Sequence, residues 1–182
     1  MASDRPFTCS VFIGTSLDGF IARQDGDLGW LTSRGEAAGG DLGYQEFIDG
    51  IDAVVTGRGT YEAGLSFDPW PHEGRYVAVL SSTLEPGADP RVTVFRDLDG
   101  LVRGLAERGT KSVYVDGGQV IRAFLRAGMI DQVVITTVPV LIGTGVPLFG
   151  ELGGDVPLTH VSTEVFGAGV VQSAYRVEHP PA

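Results

Sequence analysis

Short apolar runs alternating with glycine turns and amphipathic stretches set the rhythm of this chain. Residues 11–14, 53–56, 76–80, 91–95 and 132–138, and the run V-Y-V opening at Val113, are rich in β-branched and aromatic side chains. They are too short for helices, so each is predicted to be a buried strand. Between them the period changes. Val120, Ile121, Phe124 and Leu125 fall at helical spacing after Gly117-Gly118, so residues 113–125 read as strand, glycine turn and helix. Leu98, Leu101, Val102 and Leu105 repeat at i, i+3, i+4 and i+7 behind Asp97, a predicted N-cap, with Gly109 and later Gly128 as stops. Residues 32–50 predict a softer helix, with Leu42, Phe47, Ile48 and Ile51 on one face and Asp41 or Ser33 as cap. Thr60-Tyr61-Glu62 opens a short helix after Gly57-Arg58-Gly59.

The connections carry their own signals. Asp18-Gly19 reads as a hairpin turn, and D-P-W-P at 68–71 is too proline-rich for regular structure. Residues 139–149 are an irregular, glycine-punctuated excursion. Residues 159–166 and 170–177 flank G-A-G as an antiparallel hairpin, and the closing E-H-P-P-A is expected to fray. Alternation of strand and helix up to Val138 therefore predicts an α/β fold, a single domain over residues 1–182. A mostly parallel central sheet is flanked by helices on both faces, with a C-terminal antiparallel hairpin at one edge.

Composition narrows the function. The net charge of −10 leaves no basic face for nucleic acid or an anionic membrane. No apolar run nears the roughly 20 residues that span a bilayer. The opening M-A-S-D-R-P lacks the build of a signal peptide, which predicts a cytoplasmic protein. Cys9 lies in an apolar run and reads as an inert buried thiol. His72, His160 and His179 lack metal-ligand spacing, so no metal is expected.

In such an acidic chain, arginines beside glycine turns become informative. Gly57, Arg58, Gly59 and Thr60, then Ser81 and Ser82, then Arg96, then Gly117, Gly118 and Gln119 each stand where a predicted strand ends. Parallel sheets bind ligands beyond those ends. Bare amides, hydroxyls and two cations on four separate turns suit a dinucleotide with pyrophosphate and 2′-phosphate. The spacing is not that of the standard fingerprint, since no G-x-G-x-x-G follows the first strand.

Together, V-V-T-G-R-G-T-Y-E at 54–62, L-S-S at 80–82, R-V-T-V-F-R at 91–96 and the glycine-pair segment resemble the dihydrofolate reductase fold in order and spacing. S-L-D-G at 16–19, D-G-G at 116–118, and G-M-I-D with P-V-L-I-G-T-G within 128–145 are more similar to the reductase domain of the bacterial riboflavin-biosynthetic deaminase-reductase. The resemblance spans residues 7–177. It implies an NADPH-dependent reductase, usually a homodimer. By position, Gly57, Arg58, Gly59, Thr60, Gly117, Gly118, Gln119 and Val120 would meet the phosphates. Leu80, Ser81, Ser82 and Arg96 would hold the adenine ribose and its 2′-phosphate, while Gly14 and Ile21 would flank the nicotinamide. The chain departs from the folate enzymes around Gly35-Glu36, where their helix carboxylate has no clear match. It also lacks the riboflavin enzymes' basic pattern after Asp68-Pro69 and the H-x-E and P-C-x-x-C of a zinc deaminase.

The chemistry implied is hydride transfer to an electron-poor carbon of a pteridine- or pyrimidine-like heterocycle, with a side chain or water delivering the proton. Asp18 is the first candidate for the acid, against a plain turn-forming role, with Glu36 and Asp27 behind it. Trp30 and Tyr44 could stack on a flat substrate. A non-catalytic nucleotide or flavin binder is the competing reading.

Overall fold

The computed structural model describes residues 5–179; residues 1–4 and 180–182, which carry part of the N-terminal reading and of the frayed tail, lie outside it. The chain opens with β1 (Thr8–Ser16) and β2 (Phe20–Ala22), followed by the helices α1 (Gly29–Ala38) and α2 (Tyr44–Asp49). Strand and helix then alternate through β3 (Ala53–Gly57), α3 (Arg58–Gly64), β4 (Tyr76–Leu80), β5 (Val92–Phe95), α4 (Leu98–Glu107), β6 (Ser112–Asp116) and α5 (Gly118–Arg126). The chain closes with β7 (Gln132–Val138), the two-residue β8 (Val146–Pro147), β9 (Leu158–Val165), a 3-10 turn at Gly167–Gly169, and β10 (Val171–Val177).

Eight strands form one sheet in the order β5-β4-β3-β6-β1-β7-β10-β9. Every pairing from β5 across to β7 is parallel, and β10 and β9 join antiparallel, as the alternation and the terminal glycine loop predict. The parallel strands are buried on both faces, so their sequences run almost wholly apolar. On one face Cys9, Val11, Ile13, Val55, Val113 and Val115 pack against Leu101 and Leu105 of α4 and Val120, Ile121, Phe124 and Leu125 of α5. On the other, Val54, Val77, Val79 and Tyr114 pack against Ile48 of α2 and Tyr61 of α3.

Two expectations change. The soft helix at 32–50 is broken in two: Gly39, Gly40, Leu42 and Gly43 all have positive φ, and no helix passes through that. Asp41 does serve α2, accepting the amides of Gly43 and Gln45, whereas Ser33 lies inside α1. Leu42, expected on the shared apolar face, sits in the break with φ 54, and its carbonyl accepts from the Gln172 amide. Of α1 only Trp30 is fully buried. Secondly, β2 does turn back at Gly19 but pairs with β8 rather than making a two-strand ladder with β1. The excursion at 139–149 supplies that partner and is tied down by Asp18.

Candidate functional site

The carboxyl ends of β1, β3, β4, β5 and β6 bring the turns onto one rim. The first turns of α3 and α5 meet there. Gly57 is the N-cap of α3 and Gly117 that of α5, and no side chain caps either helix. They touch closely: a Cβ on Gly57 would lie 3.2 Å from Val120, and one on Gly117 would lie 2.5 Å from the Thr60 hydroxyl. Gly117 also has φ 91, so both conformation and crowding select glycine. Gly59 faces open space. The result is two bare, positively polarised helix starts side by side.

Cations surround them. Arg58 donates to the Thr83 hydroxyl at 3.1 Å and pairs loosely with Glu62. Arg96 donates to the Ser81 carbonyl at 3.1 Å, while the Ser81 hydroxyl accepts the amides of Thr83 and Leu84 and so shapes the turn. Leu80, Ser81, Ser82, Arg96, Gln119 and Val120 line one cavity of about 490 Å³, together with two arginines that sequence reasoning missed, Arg122 and Arg126. Those two lie four residues apart on α5, one turn and two turns beyond the glycine pair, and that spacing was the available signal. Arg122 also donates to the carbonyls of Pro147 and Leu148, and Arg126 to that of Glu151, so α5 holds the β8 segment against the rim.

The loop from β1 lies over this rim. Ile21 reaches Gly118, whose Cβ would lie 3.4 Å from it and 2.7 Å from the Pro147 carbonyl, and Gly14 lies beneath Leu31 of α1. Asp18 binds this loop to the 139–149 excursion by accepting the amides of Ile142 and Gly143 at 3.2 and 2.7 Å. The Ser16 hydroxyl and those amides hold its pKa below the ordinary aspartate value. Glu36 is exposed on the outer side of α1, and Asp27 is exposed, paired with Arg23 and accepting the Gly29 amide.

A different acid stands at the centre. Asp116 ends β6 immediately before the glycine pair, on the sheet face of Tyr114. It is half-buried, and its carboxylate accepts the Gly117 amide at 2.8 Å. Burial pushes its pKa up to about 6 against the pull of that amide and of the Tyr114 hydroxyl. Tyr114 donates to the Phe12 carbonyl at 2.9 Å, and Tyr44 stands edge-on to it, both hydroxyls pushed up by burial and by the Asp116 charge. Further along the same face Thr136 accepts from Gln172. Trp30 is buried with its indole N–H unpartnered, a free donor beneath α1. Sequence reasoning put Asp18, in the turn after the first strand, ahead of Glu36 and Asp27 as candidate acids and did not single out the carboxylate that closes the apolar strand V-Y-V-D just before two glycines.

Comparison with known proteins decides what this arrangement belongs to. The family described as RibD C-terminal domain matches residues 8–172. The chain belongs to that family. An uncharacterized protein of Bacillus subtilis, YwjB, is 32% identical over 164 residues, covering 88% of this chain and 92% of its own. A crystal structure from Shewanella sp. PV-4, provisionally described as a riboflavin biosynthesis protein, superposes with a TM-score of 0.86 at 36% identity, over 95% of this chain and all of that one. The deaminase/5-amino-6-(5-phosphoribosylamino)uracil reductase of Thermotoga maritima shares the fold at TM-score 0.69 and 21% identity, over 95% of this chain and 57% of its own. The sheet order and terminal hairpin are thus those of the reductase-like RibD C-terminal fold, akin to dihydrofolate reductase. No helix among the described residues is long and apolar enough to cross a membrane.

Proposed function

We propose that the chain is an NADPH-dependent reductase of a pteridine- or pyrimidine-like heterocycle, acting as a homodimer in the cytoplasm. The observation that carries the reading is the pairing of two uncapped helix starts with an arginine-lined cavity on one rim, beside a half-buried acid of raised pKa. The donor set fits the cofactor: free amides of α3 and α5 for the pyrophosphate, and Arg58, Arg96 and Ser82 for a 2′-phosphate. Bound there, NADPH supplies the hydride. The chain's own residues do the rest. Gly14 and Ile21 shape the floor and the near wall for the nicotinamide. Trp30, whose indole N–H is buried and unpaired, and Tyr44, packed edge-on to Tyr114, are assigned to a flat substrate. Asp116, its pKa raised to about 6, keeps a proton under mildly acidic conditions on the face where the substrate would lie, and Asp18 fixes the covering loop. A carboxyl group whose pKa is raised to about 6 at a strand end of the rim favours catalysis over the non-catalytic reading.

The test is direct. NADPH is titrated against the intrinsic fluorescence, and its absorbance is followed with a panel of pteridines and aminopyrimidines. Saturable binding tighter than NADH, with oxidation by at least one heterocycle, is expected. Indifference to both dinucleotides would overturn the reading.

A further inference from the structure

Arg122 faces two ways. It lines the rim cavity with Ser81, Ser82 and Arg96, and its Nη1 donates to the Pro147 and Leu148 carbonyls at 2.6 and 3.2 Å. Among the described residues, its Nε and Nη2 have no partner. Glycine at 118 makes the reach possible, since a Cβ there would lie 3.2 Å from Nη1.

The segment that Arg122 holds is half of a strap, residues 16–22 paired with residues 142–149. Pro147 pairs with Phe20 in the β2–β8 ladder, and the Leu148 amide donates to the Gly19 carbonyl at 3.0 Å. Ile21, between the two paired residues of β2, lies against Gly118. Leu148 is buried in the core, and at the other end Asp18 takes the amides of Ile142 and Gly143. One guanidinium therefore stands between the phosphate cavity and the wall assigned to the nicotinamide.

We propose that Arg122 is a positioning residue that couples the two ends of the cofactor site. A phosphate in the cavity takes its free nitrogens, which fixes Nη1 on the β8 carbonyls and, through them, the β2 wall. The inference rests on the assignment of NADPH to this rim. A guanidinium carries its donors in one rigid plane, so it can hold an anion on one edge and carbonyls on another. Immobilising so long a side chain loses rotamer freedom, and the loss is incurred once for both contacts. Each contact then favours the other, and by linkage the effect is reciprocal.

The probe is adenosine 2′,5′-bisphosphate, which has the phosphates without the nicotinamide, added at saturation to the full chain. Deuterium exchange over residues 19–22 and 145–149 is expected to slow about fivefold, with β9 and β10 unchanged. Reduced nicotinamide mononucleotide should bind about fivefold more tightly by calorimetry once the bisphosphate is in place. Arg122→Met, long but without donors, should lose both effects. Arg126→Met should weaken the bisphosphate yet keep the slowing at saturation, because Arg126 reaches Glu151, beyond the strap. Should Arg122→Met lower the melting midpoint, Arg122→Lys decides, since it keeps the charge without the planar fork and should retain less than about half of the slowing. Failure to bind the bisphosphate would overturn the cofactor reading and this inference together. Binding without slowing, or slowing that survives in these Arg122 variants, would overturn this inference alone.

Discussion

Asp97 and Asp116 hold matching places in the chain, each between a strand of the parallel sheet and the helix that follows. Asp97 gives its carboxylate to its own helix, accepting the Gly100 amide at 2.7 Å, and it is exposed. Asp116 gives nothing to the first turn of α5. It is half-buried beneath the rim, its pKa raised to about 6, and the helix beyond it starts bare from Gly117. The same side chain thus closes one strand-to-helix junction for stability and leaves the other open. α4 is capped by its own aspartate, whereas the α3 and α5 starts on the rim carry no side-chain cap.

The largest expected effect comes from removing the half-buried acid. Asp116→Asn should lower turnover about 10²- to 10⁴-fold while leaving the dissociation constant of NADPH nearly unchanged. Turnover of the parent should fall as pH climbs through about 6, as the carboxyl group loses its proton, and the variant should show no such limb. Stability should carry the same signature. A raised carboxyl pKa lends stability in full below the ordinary aspartate range and loses it as pH rises through about 6. Melting the parent and Asp116→Asn across that window should therefore show the parent losing ground to the variant.

Next comes making the open junction resemble the closed one. Gly57 has φ −90, which any residue adopts, so Gly57→Asp can install a cap on α3. Calorimetry should then show NADPH bound about a hundredfold more weakly, because a carboxylate occupies the anion's place, while the melting midpoint holds. Unchanged affinity would break the comparison. Smaller in effect, Arg58→Ala and Arg96→Ala should each weaken NADPH about tenfold and NADH less. Equal losses for both dinucleotides would mean that these arginines do not read the 2′-phosphate. Smallest, Asp97→Ala should cost about 1 kcal/mol in denaturant unfolding and leave cofactor binding intact.

Much of the architecture was legible in the sequence because parallel strands buried on both faces leave unmistakable apolar runs, and because α4 and α5 carry clean helical stripes. The break inside 32–50 was harder. Gly39, Gly40 and Gly43 weakened the helix, but that Leu42 would take a left-handed conformation depends on Gln172, which lies 130 residues away in sequence. The same distance problem hid the pairing of β2 with β8 and the tie between Asp18 and Gly143. On the rim, the glycine, serine and arginine turns could be read because each stands at a strand end. Arg122 and Arg126 gave only their four-residue spacing after the glycine pair, since their standing depends on which flank of α5 meets Ser81 and Arg96. The weight of Asp116 was also out of reach, because burial, and not spacing, sets its pKa.

The slender attachment of α1 bears on how a flat molecule gets in and out. With one fully buried side chain and four left-handed residues just beyond its end, this helix can swing outward at little energetic expense, uncovering Gly14 and the Trp30 indole while the strands stay paired. Exchange of its amides with deuterium should therefore run far ahead of that in β3 and β6, the sign of a doorway that opens without loosening the house.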